Sequence, residues 1–161
     1  MLKKMAILFV ILSSGVFAQW EKEYVKDDFR VPTKNYYLVH EGHDNSPSML
    51  VTKSNIIVQL NERAKENLYT SSLINELVKV TDEKGKTYNI EATILIDLDN
   101  ATPYSIIINR KNKTMVNLMR ENENLVFQVG KTGSYKKFNV SFHDFDEVYD
   151  EALANKFRDK K

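Results

Sequence analysis

Short runs of β-branched and aromatic residues, each closed by polar or turn-forming residues, dominate the chain, and that rhythm predicts strands. Tyr36-Tyr37-Leu38-Val39 is the first such run after Pro32. Met49-Leu50-Val51 and Ile56-Ile57-Val58-Gln59-Leu60 flank Lys53-Ser54-Asn55 and predict a hairpin. Leu77-Val78-Lys79-Val80 and Thr87-Tyr88-Asn89-Ile90 flank Asp82-Glu83-Lys84-Gly85-Lys86, a stronger hairpin signal because Gly85 stands at the exit. The second of these strands extends through residues 92–96, and Tyr104-Ser105-Ile106-Ile107-Ile108 follows Pro103. Leu125-Val126-Phe127-Gln128-Val129 and Phe138-Asn139-Val140-Ser141-Phe142 flank Gly130-Lys131-Thr132-Gly133 and predict a third hairpin. In its last strand Phe138, Val140 and Phe142 alternate with polar residues, which buries one face.

Two segments change period. Residues 113–122 place Met115, Leu118 and Met119 at spacings of three and four, the mark of a short amphipathic helix. Residues 144–159 align Phe145, Val148, Tyr149, Ala152 and Leu153 on one stripe. Asp144 followed by Glu147 reads as a capping box at its start. Its acids come first and its lysines and arginine last, which complements the helix dipole. The reading is a mainly β chain, an antiparallel β-sandwich or partly open barrel, with a short helix near 113–122 and a C-terminal helix near 144–159. No repeat or linker divides it, so residues 19–161 form a single β-rich domain.

The N-terminus is patterned differently. Lys3 and Lys4 precede an uninterrupted apolar run at residues 5–12, then Ser13, Ser14 and Gly15, then Val16-Phe17-Ala18. This pattern predicts a cleaved secretory signal over residues 1–18. The apolar run falls short of the roughly 20 residues that span a bilayer, and no transmembrane segment is expected after cleavage. The expected location is the periplasm or the cell exterior, and abundant Lys, Asn and Ile suggest a bacterium. The chain has no cysteine, which removes disulfides, thiolate nucleophiles, Cys-ligated zinc and iron–sulfur clusters.

The full chain holds 23 basic and 22 acidic side chains; without Lys3 and Lys4 the balance is 21 to 22. That balance argues against a nucleic-acid binder. It is nevertheless the sum of two opposed stretches. Residues 110–137 hold seven basic side chains against Glu121 and Glu123, while residues 138–151 hold five acids and no Lys or Arg. Arg110, Lys111, Lys113, Lys131, Lys136 and Lys137 are therefore a candidate patch for a protein partner or an anionic surface polymer, set against the plainer account of a solvated rim.

His40-Glu41-Gly42-His43-Asp44 is the densest group of chelating side chains. His40, His43 and Asp44 are a candidate metal site, and with it a metal-assisted hydrolase is the alternative function, although Gly42 denies the helical spacing of a zinc protease. A polar turn after the preceding strand explains the same residues. His143-Asp144 would serve a general base only with a hydroxyl in reach, and the cap explains Asp144. No nucleophile elbow, phosphate loop or dinucleotide fingerprint occurs, so no catalytic residue is assigned and no cofactor is expected.

Trp20 near the start, Asp27-Asp28, the run at 36–39, the strands at 125–129 and 138–142 with Gly133 between them, and Val148, Tyr149 and Leu153 follow an order that resembles small exported β-sandwich proteins of the type VI secretion-accessory and invasion-associated locus B kind. The resemblance implies an accessory or binding domain of an export compartment rather than a reaction, and it assigns no site residue. The expected function is an exported, non-enzymatic binding or accessory module.

Overall fold

The structure, a computed structural model, describes residues 20–42, 47–60, 71–97, 103–130 and 136–159. Nine strands are formed: β1 (Glu21–Lys26), β2 (Pro32–His40), β3 (Ser48–Val51), β4 (Asn55–Gln59), β5 (Ser71–Thr81), β6 (Thr87–Asp97), β7 (Pro103–Asn109), β8 (Asn124–Val129) and β9 (Lys136–Ser141). Helix α1 (Lys113–Glu121) joins β7 to β8, and α2 (Phe145–Ala154) follows β9. The strands make one open antiparallel sheet in the order β1-β2-β3-β4-β7-β6-β5-β8-β9. The mainly β expectation and both helices are thus present, and a second hydrogen-bonded sheet is not found among the described residues. The predicted signal segment lies outside the described residues.

Alternation decides which face is buried. Ile56 and Val58 of β4, Ile106 and Ile108 of β7, and Leu125, Phe127 and Val129 of β8 all point the same way and are buried. Met115, Leu118 and Met119 of α1 and Phe145, Tyr149 and Ala152 of α2 join them in one core running from Trp20 to Phe157. Asn112 caps α1, its side chain accepting from the Met115 backbone N–H at 3.0 Å.

The segment that follows β9 is tied to Trp20 and to strands β1 and β2. Trp20 donates its indole N–H to the His143 carbonyl at 3.1 Å, and its ring lies 5.0 Å from Phe145. Lys22 of β1 pairs with Glu151 of α2 at 2.6 Å, and that hydrogen bond raises the lysine pKa above its ordinary value. Beyond α2, the backbone N–H groups of Tyr36 and Asp159 reach the carbonyls of Phe157 and Lys34 at 3.1 and 3.0 Å.

Two local expectations are corrected. Asp144 does not cap α2: it sits in the left-handed region at φ 57° and its side chain makes no capping bond. The turn that admits the helix is instead closed by the Phe145 N–H donating to the Phe142 carbonyl at 3.0 Å. The helix also stops at Ala154 rather than running towards residue 159. Phe157 N–H bonds the Ala152 carbonyl at 2.8 Å and Lys156 N–H bonds the Leu153 carbonyl at 3.0 Å, the paired bonds of a Schellman end, with Lys156 at φ 53° where glycine is usual.

The β1–β2 and β5–β6 turns share one hydrogen-bond scheme. Asp82 accepts from the backbone N–H groups of Lys84 and Lys86 at 3.0 and 2.8 Å, and Gly85 at φ 81° supplies the left-handed residue. Asp27 accepts from Phe29 and Val31 at 3.0 and 2.8 Å, and there the left-handed residue is Arg30 at φ 61°. Arg30→Gly should therefore stabilise the protein by about 1 kcal/mol, because only the Cβ disfavours that conformation. Urea unfolding checks it, and an unchanged or lowered midpoint refutes it.

Candidate functional site

Arg110 closes the turn that leads from β7 into α1, and its partners define a site that no local motif announces. Its Nε donates to the Lys53 carbonyl at 2.7 Å and one Nη donates to the Tyr149 hydroxyl at 3.1 Å. Its guanidinium lies 5.3 Å from the centre of the Phe157 ring. The β3–β4 turn, helix α2 and the Schellman end of α2 are thereby gathered around one arginine.

In front of it opens a groove of about 510 Å³. Exposed Lys53, Lys156 and Arg158 stand on its rim, Asn35, Thr52 and Ser54 add an amide and two hydroxyls, half-buried Tyr37 lines it, and Tyr36 and Phe157, each 3% exposed, lie beneath. Burial raises the pKa of Tyr36, and burial together with a hydrogen bond to Glu23 raises that of Tyr37, so both phenols stay neutral at physiological pH. Lys22 lies 4.9 Å over the Tyr36 ring from the neighbouring strand. Cations around neutral aromatic surface suit a ligand that pairs acidic groups with an apolar or ring-shaped body. The Thr52 hydroxyl is committed to its own turn, accepting from Ser54 and Asn55 at 3.2 and 2.9 Å. The Ser54 side chain, by contrast, is exposed on the rim.

The candidate basic patch is divided. Arg110, Lys111 and Lys113 lie at the end of β7 and the start of α1, whereas Lys136 and Lys137 open β9. Strands β6, β5 and β8 intervene in the sheet, a path of about 19 Å at ordinary strand spacing. Lys131 lies outside the described residues. The opposed charge stretches of the sequence meet one another instead: Arg120 pairs with Asp146 and, at 3.2 Å, with Asp150 of α2. The pairing with Asp146 raises the arginine pKa further above its usual range.

His40 lies on the core face of β2, 3% exposed, with its ring 5.2 Å from Trp20. His43 and Asp44 lie outside the described residues. No group of three His, Asp or Glu side chains is placed to hold a metal among the described residues. His143 is half-exposed, its ring nitrogens 3.9 Å from Glu123 and 3.5 Å from Asp144, and its carbonyl is the acceptor for Trp20.

Lys53 stands alone in its turn, and the sequence assigns Lys156 and Arg158 to the basic end of a helix, so nothing local marks the three as one site. Only the pairing of β2 with β3 and the bridge between Asn35 and Arg158 bring residue 53 beside residues 156 and 158. No one-dimensional signal links them. Compared with protein-family models, curated proteins and solved structures, the chain matches none.

Proposed function

We propose that the protein is an exported, non-enzymatic binding module of the periplasm or cell exterior, and that it holds an anionic surface polymer in the groove between the β3–β4 turn and the end of α2. The convergence of Lys53, Lys156 and Arg158 on an aromatic-floored groove carries this reading. Arg110 braces the groove from behind, so the cations are mounted on a stiff base rather than on free loops. The polymer fits better than a nucleic acid because the cations are few and local, while the chain as a whole is nearly neutral. The basic run at residues 1–4 followed by an apolar stretch supports export, and the resemblance to exported accessory proteins points the same way.

Ring contacts of α2 support the finer architecture, a partly open barrel in which α2 fills the gap between the first and last strands. Phe145 touches both Trp20, just before β1, and Phe142, just after β9, at 5.0 and 6.3 Å between ring centres. A metal-assisted hydrolase built on His40, His43 and Asp44 has no comparable support, since the His40 ring is turned into the core.

Charge reversal tests the reading. With polygalacturonate as probe, Lys53→Glu with Arg158→Glu should weaken binding at least tenfold, about 1.4 kcal/mol. Lys136→Glu with Lys137→Glu should change it less than twofold. Titration calorimetry at low and moderate salt provides the measurement. Equal losses for the two pairs, or no binding by the parent protein, would sink the groove as the site.

A further inference from the structure

Sheet edges are ordinarily blunted, since a row of unpaired N–H and C=O groups invites another strand. The two terminal edges obey this. Strand β1 carries Glu21, Lys22, Glu23 and Lys26 and has a register irregularity between Tyr24 and Lys26. Strand β9 opens with Lys136 and Lys137.

Among the described residues, a third edge is not blunted. Strand β5 pairs with β6 along all of its 11 residues, but β8 meets it only at Lys79, Val80 and Thr81. Residues 71–78 therefore have β6 on one side and, among the described residues, no strand on the other. This stretch reads Ser-Ser-Leu-Ile-Asn-Glu-Leu-Val, without proline or glycine and with Glu76 as its single charge. Leu73 and Leu77 are 67% and 62% exposed, far above what apolar side chains within a sheet usually show. They point away from the core, opposite to buried Val78 and Val80.

We infer that this edge pairs with the same edge of a second copy of the chain, in antiparallel register about a two-fold axis at Asn75. An isologous contact must be self-complementary, and the pattern around Asn75 is. Leu73 and Leu77 lie two residues to either side, so each leucine meets the partner's other leucine directly across the axis, and the two Asn75 amides face each other. Pairing spans residues 72–78, since β8 occupies the edge from Lys79 onward: Ile74 stands opposite Glu76 and Ser72 opposite Val78, so no like charges are directly opposed, the arrangement that destabilises cross-strand pairs. Leu95 of β6, the cross-strand neighbour of Leu73, extends the apolar surface on each side. A contact of one strand edge and four leucines falls at the small end of specific interfaces. The dimer is accordingly a weak, concentration-dependent one, and it joins two nine-stranded sheets into one.

Sedimentation equilibrium of the purified protein from micromolar to near-millimolar concentration tests this. A reversible monomer–dimer equilibrium is expected, with its dissociation constant raised at least tenfold by Leu73→Lys together with Leu77→Lys. Both side chains are exposed, so the variant should keep the parent's circular dichroism and unfolding midpoint. The absence of native cysteine permits a second measurement. Asn75→Cys should cross-link under mild oxidation much faster than Glu23→Cys on the charged edge, and the leucine substitutions should abolish the difference. A protein that stays monomeric throughout, a dimer indifferent to the leucine substitutions, or equal cross-linking at the two positions overturns the inference.

Discussion

Trp20→Ala is expected to cost about 3–5 kcal/mol of stability, the range for removing a buried aromatic ring from a packed site. Trp20 is 5% exposed although it stands one residue before the first strand. Its ring touches His40 of β2 and Phe145 of α2, and its N–H satisfies the His143 carbonyl. One side chain therefore fastens the first edge of the sheet to the helix that follows the last strand. Its loss removes area burial, opens a cavity and leaves a carbonyl without its donor. Trp20→Phe should recover most of the area and retain the deficit of one hydrogen bond, about 1 kcal/mol. Since this is the only tryptophan, parent unfolding in urea is followed by its fluorescence and the variants by circular dichroism. A loss below 1 kcal/mol for the alanine variant would mean that β1 docks independently of α2, contrary to the contacts described.

Trp20 also illustrates what the sequence could and could not tell. Runs such as Ile56-Ile57-Val58 and Leu125-Val126-Phe127 declared themselves because burial against a sheet requires apolar side chains at alternate positions, and the structure forms strands there. Strand β1 has no such signature: Glu21-Lys22-Glu23-Tyr24-Val25-Lys26 is a solvated edge, held by backbone bonds to β2 and by contacts at its ends. The left-handed position of its turn was hidden as well, because Arg30 occupies the place that Gly85 marks in the β5–β6 turn. The first half of β5 was missed for the related reason that Leu73 and Leu77 face outward while Glu76 interrupts the inward positions. The ends of α2 misled in the same way. A capping box and a following basic tail are consistent with a longer helix, but a left-handed Asp144 and Lys156 at the Schellman position are decided by the docking of Phe145 and Phe157 into the core. The candidate site was the least legible feature, since Lys53 lies about a hundred residues from Lys156 and Arg158 and meets them only through the sheet's register.

Phe157→Ala should be nearly as damaging as the loss of Trp20, about 3–4 kcal/mol, and it should also impair the groove. Residue 157 lies in an irregular segment beyond α2. Here its ring is 3% exposed, lies 6.0 Å from Tyr36 and supports the Arg110 guanidinium, while its backbone closes α2 and accepts from Tyr36. Phe157 holds φ 54°, a conformation that costs a non-glycine residue roughly 1–2 kcal/mol. Ring burial is the large term that offsets it. Without the ring the strained backbone has no reason to persist, and the segment carrying Lys156 and Arg158 should detach from β2, so binding to the polyanion probe should fall along with stability. The link to Arg110 is separable by a double-mutant cycle with Arg110→Ala. A coupling of about 0.5–2 kcal/mol is expected for a half-buried cation stacked on a ring and sharing a packed neighbour. Additive effects of the two substitutions, or full probe binding by Phe157→Ala, would show that the groove does not depend on this tail.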